Sequence, residues 1–220
     1  MKRLFHYLKE FLFPSKCVLC RGLLEAEETD LCRRCRAETD GYPQGKLKLQ
    51  FIDRAAAVWY YKDNVRKALH RYKFNRGRFL AEPFGKMIAM KALTEELAAV
   101  DVITWVPISP IRKLIRGYDQ DELLARVISR ELGIPCKGLL KKIRHNRPQS
   151  GIVGFAKRRA NVLGVYTLRE DADVRGKTVV LLDDILTTGA TASECARVLL
   201  TAGAEEINCA VVASAHHNNP

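Results

Sequence analysis

The sequence predicts an α/β protein: a largely parallel, doubly wound sheet preceded by a small cysteine-rich module. Three observations carry that expectation. From Ala55 onward, strand-like and helical segments alternate, as they do in sheets covered by helices on both faces. Four consecutive apolar residues, Val179 to Leu182, suit a strand buried on both faces. Ahead of both lie two C-x2-C pairs, too polar a neighbourhood to bury a core unaided.

The 220 residues suit one medium domain plus an appendage. Met1 to Pro14 places Leu4, Leu8, Phe11 and Leu12 on one helical face, so an amphipathic helix docked on the rest of the chain is expected. His6, Lys9 and Glu10 interrupt its apolar residues and no small-residue cleavage site follows, so it does not read as a secretion signal. No apolar stretch approaches the roughly 20 residues that span a bilayer. Residues 15 to about 40 form the cysteine module, and Gly41 to Leu49, with Pro43 and Gly45, reads as a linker. The expected partition is 1–50 for the helix, module and linker, and 51–220 for the α/β domain.

Within that domain Ala55 to Tyr61 is strand-like, and Val65 to Tyr72 and Leu80 to Leu97 read as helices. Val102 to Val106 reads as a buried strand, Asp121 to Leu132 as a helix and Leu139 to Ile143 as a strand. Val179 to Leu182 opens the principal strand-to-helix unit, Ala190 to Ala202 is its helix with Gly203 as a C-cap, and Ile207 to Ala213 returns as a strand. There is no internal repeat.

Cys17, Cys20, Cys32 and Cys35 form C-x2-C, an eleven-residue spacer and C-x2-C. Without a secretory signal the chain is expected in the cytoplasm, where disulfides are rare and such knuckles hold Zn2+ in a closed tetrahedral site. A disulfide pair or a redox module are the alternatives. Cys136, Cys195 and Cys209 read as small core residues. The net charge of +12, from 37 basic and 25 acidic side chains, fits a polyanionic small substrate or a nucleic acid and does not choose between them.

The sequence V-V-L-L-D-D-I-L-T-T-G-A-T, residues 179 to 191, carries the chemistry. A helix N-terminus offers backbone N–H groups and a favourable dipole to a phosphate. Thr187, Thr188 and Thr191 add hydroxyls, Gly189 permits close backbone approach, and Ala190 continues the turn into the helix. Asp183 and Asp184 are acceptor-only groups suited to vicinal hydroxyls. The segment therefore suits a phosphorylated sugar. A capped turn is the plain alternative. The metal-binding strand of a P-loop ATPase would need G-x-x-x-x-G-K-[ST] elsewhere, but before Gly176, Lys177 and Thr178 position 171 is Asp, and that tripeptide precedes a strand.

Three basic runs accompany it. Arg112, Lys113 and Arg116 follow the strand end Val106-Pro107-Ile108, and Arg grips diphosphate bidentately; a helix start with solvated Arg is the plain reading. Arg144 to Gly151, continued by Lys157, Arg158, Arg159 and Asn161, suits a cationic lid or a surface loop. Lys73 to Arg78 lies beside Tyr72 and Phe74, which are better read as core residues than as base-stacking platforms.

The thirteen residues from Val179 to Thr191 resemble the signature of type I phosphoribosyltransferases, which bind phosphoribosyl pyrophosphate (PRPP). The resemblance implies that Asp183 and Asp184, the candidate catalytic carboxylates, take the ribose hydroxyls. It assigns Thr187, Thr188, Gly189, Ala190 and Thr191 to the 5-phosphate, with Mg2+ on the diphosphate side. Arg112 and Arg116 are then candidates for the pyrophosphate. The run V-P-I-S-P-I-R-K-L-I-R-G-Y-D-Q further resembles the ComF competence family, with Tyr118 and Asp119 where that family has Phe and Asn. Arg144, Gln149, Arg158 and Asn161 match another of its patterns. The resemblance covers nearly the full chain and implies a link to DNA uptake. Two functions follow as expectations: transfer of a phosphoribosyl group to an unidentified acceptor with release of pyrophosphate, or a non-catalytic competence factor that binds single-stranded DNA and other competence proteins, with PRPP as a regulatory ligand. A protein-docking role for the cysteine module is a third.

Overall fold

A computed structural model describes residues 14–45, 47–74, 77–94, 97, 99–144, 146 and 154–215. The expected N-terminal helix with Leu4, Leu8, Phe11 and Leu12 lies outside the described residues, as do Asn75, Arg76, His145, Arg147, Pro148, Gln149, Ser150 and Gly151.

A short helix, α1 (Arg33–Glu38), lies in the cysteine module. Then follow β1 (Arg54–Tyr60), α2 (Asp63–Phe74), a 3-10 turn (Gly77–Leu80), α3 (Ala81–Thr94), β2 (Val102–Trp105), α4 (Pro110–Arg116), α5 (Gln120–Leu132), β3 (Leu140–Lys142), α6 (Phe155–Val162), β4 (Tyr166–Leu168), β5 (Thr178–Leu186), α7 (Ala190–Thr201) and β6 (Glu206–Ser214). The main sheet has the order β1-β6-β5-β2 and every pairing in it is parallel. β3 and β4 form a separate antiparallel pair.

Alternation along β5 builds a core on each face. Val180 and Leu182 pack with Ala210 and Val212 against Leu69, Tyr72, Phe84, Ile88, Leu124 and Ile128 of α2, α3 and α5. Val179 and Leu181 pack with Cys209 and Val211 against Cys195, Ala196 and Leu199 of α7, and against Leu140 and Tyr166 of the small hairpin. A strand so covered must be apolar at every position, and Val179 to Leu182 are all at most 4 % exposed. The sheet is therefore doubly wound, with a cysteine cluster before it.

Three features differ from the expected elements, and the helix from Pro110 matches the plain reading of its segment. β5 extends to Leu186, so Asp183 and Asp184 lie within the strand's last turns of pleat. The segment from Pro110 is a helix, capped by the Ser109 hydroxyl, started by Pro110 and stopped by Gly117 at φ 81°. Lys157 to Asn161, grouped with the cationic lid, lie on helix α6. Phe74, read as core, is 62 % exposed, whereas Tyr72 is fully buried.

The cysteine module shares the core rather than standing apart. Cys17, Val18, Leu19 and Cys35 join the cluster of α2 and α3, and the Arg71 guanidinium donates to the Val18 and Leu19 carbonyls at 2.7 and 2.8 Å. In the segment that reads as a linker, Tyr42 and Leu47 are buried against the other face.

Gly77 is fixed by close approach. A Cβ there would lie 2.5 Å from the Arg71 carbonyl oxygen and 2.9 Å from the Tyr72 Cα, backbone atoms that have no rotamer to yield. Gly77→Ala is expected to cost about 1–3 kcal/mol, the range for overpacked interiors, measured as a shift in chemical-denaturation midpoint.

Candidate functional site

The carboxyl ends of the parallel strands are where an open α/β sheet receives its ligand. Asp184 continues the Val180–Leu182 face and meets α2 and α5, while Asp183 lies on the α7 side. Asp184 is buried and pairs with the Lys73 ammonium at 2.8 Å. The Gln120 side-chain amide donates to Asp184 at 3.2 Å and to Asp121 at 2.9 Å. Asp183 accepts from the Asp184 backbone N–H at 2.8 Å. Carboxylate oxygens of Asp121, Asp183 and Asp184 all lie within 4.8 Å of one another.

Three carboxylates and one ammonium in so small a space leave an excess of negative charge. Burial, then the neighbouring Asp184 carboxylate, push Asp183 up to about 7. The same two causes raise Asp121 well above the ordinary carboxylate range. Burial works against the charge on Lys73, yet Asp184, Asp121 and Asp183 outweigh it and raise its pKa. One Asp121 oxygen, Oδ1, is buried with no hydrogen-bond partner, the kind of orphan that an ion or a ligand satisfies. This set of hard oxygen donors fits Mg2+.

Beyond β5 the chain passes Thr187 and Thr188 into α7, with Gly189 as N-cap at φ 71°. A Cβ on Gly189 would lie 2.3 Å from Leu49 Cδ2, so the segment ahead of β1 lies directly on this turn. A cleft beside it is lined by Lys48, Phe51, Arg159, Thr188, Ser193 and Arg197. The cleft borders the hydroxyl-rich turn and includes none of the three acids.

The two arginines of α4 diverge. Arg116 bonds the Gln120 side-chain carbonyl and so joins the acid network, and its guanidinium lies 5.2 Å over the Phe74 ring. Arg112 is within electrostatic reach of Lys142 and Tyr166. Lys113 pairs instead with Glu122 at 3.0 Å. Of the lid residues, Asn146 donates to the Asn161 carbonyl at 3.1 Å, Arg158 lies on α6 and Arg144 is exposed; Gln149 lies outside the described residues.

Sequence reasoning missed Lys73, Gln120, Asp121 and Lys142 as parts of the site. The half-buried Lys142 lies 5.4 Å over the Tyr166 ring, and burial, then Arg112, lower its pKa to about 8. The signal for Asp121 was present in the run D-Q-D at 119 to 121, whose first Asp caps α5 by accepting from the Asp121 and Glu122 N–H groups.

At the other end of the chain, the Sγ atoms of Cys17, Cys20, Cys32 and Cys35 also lie within 4.8 Å of one another. The Gly22 and Cys35 N–H groups donate to the Cys20 and Cys32 sulfurs at 3.3 and 3.4 Å. Burial and the neighbouring thiols raise the pKa of Cys35. Four thiolates at such spacing need a cation, and soft sulfur donors in a closed set fit Zn2+.

The acid cluster carries a pH signature. An Asp183 pKa of about 7 against an ordinary 3.8 means that the folded chain holds a proton the unfolded chain has released. Its contribution to stability is therefore lost as pH rises through that window. Replacing the titrating group should flatten the loss: between pH 4 and 8 the metal-free Asp183→Asn variant is expected to show a smaller decline in thermal midpoint than the unaltered chain.

Comparison with known proteins agrees with this geometry. A family model described as a phosphoribosyl transferase domain matches residues 122–219. Competence protein F of Haemophilus influenzae is 26 % identical over 218 residues, covering 89 % of this chain and 95 % of the relative. The DNA utilization protein YhgH of Escherichia coli is 28 % identical over 218 residues, covering 88 % and 94 %. Among solved structures, the glutamine PRPP amidotransferase of B. subtilis overlaps 60 % of this chain and 26 % of its own at 27 % identity, with a TM-score of 0.41. The chain thus carries a phosphoribosyl transferase domain from within α5 through β6 and is similar end to end to competence and DNA-utilization proteins, which is consistent with the ComF family within the type I phosphoribosyltransferase superfamily.

Proposed function

We propose that this chain binds PRPP with Mg2+ and acts as a ComF-type phosphoribosyltransferase-like protein in DNA uptake. The observation that carries the reading is the juxtaposition at the end of β5: two adjacent carboxylates, Asp184 ion-paired with Lys73, leading without interruption into a hydroxyl-rich turn at the N-terminus of α7. Asp183 and Asp184 take the ribose hydroxyls, and Thr187, Thr188, Gly189, Ala190 and Thr191 hold the 5-phosphate. Arg112 and Arg116 receive the diphosphate. Asp121, Asp183 and Asp184 are the residues that would hold Mg2+, which when bound offsets diphosphate charge.

Transfer breaks the C1–diphosphate bond as an acceptor attacks C1, building positive charge on the sugar ring and negative charge on the leaving group. In this reading the carboxylates offset the first charge and Arg112 and Arg116 the second, so positioning and electrostatics do the work without a protein nucleophile. The cysteine module, proposed to hold structural Zn2+, and the domain at 51–220 are proposed as the two units. Zinc held by reduced thiols suits the cytoplasm, where we place the protein; among the described residues no helix is long and apolar enough to cross a membrane.

A second reading has one observation of its own. Phe74 is 62 % exposed with the Arg116 guanidinium over its ring, a pairing suited to stacking a single-stranded base, and the relatives are a competence protein and a DNA utilization protein.

Calorimetry on one pair of proteins separates the readings. The unaltered chain is expected to bind Mg2+-PRPP, and the double variant Asp183→Asn, Asp184→Asn to bind it at least about a hundredfold more weakly, since hydrogen bonds to charged groups are worth about 1.5–3 kcal/mol each. A purely DNA-binding protein would show no PRPP binding at all, while its single-stranded DNA affinity would survive the double substitution and fall steeply with salt. Where PRPP binds, pyrophosphate release across a panel of bases and amines finds the acceptor.

Loss of the metal from the module has its own readout. Cys32→Ser is expected to abolish stoichiometric zinc in the purified protein and to lower its thermal midpoint, because Leu19 and Arg71 tie the module into the core.

A further inference from the structure

The acid cluster already contains a cation, and it is covalently part of the chain. Lys73 extends from the last turn of α2 to within 2.8 Å of an Asp184 oxygen, and its charge also interacts with Asp121 and Asp183. These are the three carboxylates whose oxygens converge within 4.8 Å. One ammonium against three carboxylates leaves the cluster short of positive charge, and the buried Asp121 Oδ1 has no partner. The ammonium thus satisfies Asp184, and on the other side of the cluster Asp121 Oδ1 is left without a hydrogen-bond partner. A divalent ion would bind both sides at once, at oxygen distances of about 2.0–2.6 Å, and Lys73 stands where it would compete.

We infer that Lys73 is a tethered counter-ion for a divalent-cation seat made by Asp121, Asp183 and Asp184, and that the incoming ion displaces its ammonium from Asp184. The exchange moves a cation rather than breaking a bond. Two consequences follow from electrostatics alone. Lys73 weakens metal binding by competition, so removing its charge strengthens it. The displaced ammonium is no longer buried in an ion pair, so it becomes free to meet an anionic ligand arriving with the metal. Gln120, which donates to both Asp121 and Asp184, holds the seat's two sides in register throughout.

This inference rests on the same site as the proposed PRPP reading, but its test contains no PRPP. Mn2+ alone is titrated into the full-length, zinc-loaded chain and the free ion is read by electron paramagnetic resonance; hard Mn2+ leaves the thiolate site to zinc. One Mn2+ site is expected. Lys73→Met should bind Mn2+ at least about tenfold more tightly, and Asp121→Asn at least about tenfold more weakly, each corresponding to about 1.4 kcal/mol. Circular dichroism checks that each variant is folded. Should Lys73→Met not fold, the unaltered protein still answers: reductive methylation of Lys73, followed by mass spectrometry, should speed up when Mg2+ is added. Mn2+ affinity unchanged or weakened in folded Lys73→Met, or Lys73 methylation indifferent to Mg2+, overturns the exchange. A protein that binds Mg2+-PRPP yet gives either of those results keeps the function and loses this inference.

Discussion

The end of β5 imposes the governing constraint on this molecule: two adjacent carboxylates on a strand that must be apolar on both faces to exist. Val179 to Leu182 are buried because α2, α3 and α5 cover one side and α7 with the β3–β4 hairpin covers the other. Carrying that strand on through Asp183 and Asp184 brings negative charge into surroundings that penalise it. Three neighbours of the pair compensate, the Lys73 ammonium, the Gln120 amide and the backbone N–H of Asp184, while Asp121 adds a further negative charge. The positive end of α7 lies just beyond. Replacing one partner of such a buried pair costs far more than the pair contributes when intact, so the residues around the acids are bound to one another's identity.

Much of this was legible in the chain, and the reasons differ by element. The four-residue apolar run and the alternation of periods found the sheet, because strands buried on both faces leave no polar position to confuse them. The T-T-G-A-T turn was legible because a phosphate needs small residues and hydroxyls at a helix start. Helix α4 was legible only as the plain alternative to a diphosphate-binding turn: Ser109, Pro110 and Gly117 spell out its ends, but it buries none of its residues. Ile111, Leu114 and Ile115 are 59, 84 and 81 % exposed, so no apolar face betrays its period. Lys73 and Asp121 escaped for another reason. They reach Asp184 from 111 and 63 residues away in the sequence, and no local pattern records a contact made only by packing α2 and α5 on one face of β5. Asp121 also sits two residues after a capping Asp, where an acidic residue is ordinary helix-start chemistry.

The segment before β1 shows how a linker-like composition misleads. Pro43 and Gly45 are turn residues, yet Tyr42 donates its N–H to the Val58 carbonyl at 2.9 Å and Leu47 is buried. Leu49 reaches the Gly189 turn itself. Only glycine leaves room there, since the position has both a left-handed backbone and a leucine methyl where a Cβ would be. The hydroxyl-rich turn is therefore shaped by the segment ahead of β1 as well as from within β5 and α7.

The last turn of α2 joins the parts. Three consecutive residues there face three directions. Arg71 holds the cysteine module by the Val18 and Leu19 carbonyls, and Tyr72 donates its hydroxyl to the Gln120 carbonyl at 2.6 Å while its own carbonyl accepts from the Tyr118 hydroxyl. Lys73 holds Asp184. A helix end that turned by even one residue, about 100°, would exchange these roles and satisfy none of them. The Gly77 backbone closes against the same turn at Arg71 and Tyr72 and leaves it no room to rotate. The module, the α4–α5 turn and the acid pair are thus set by one rigid turn, so a change in how Lys73 meets Asp184 is felt first in the residues next to it, which carry the module on one side and Gln120 on the other.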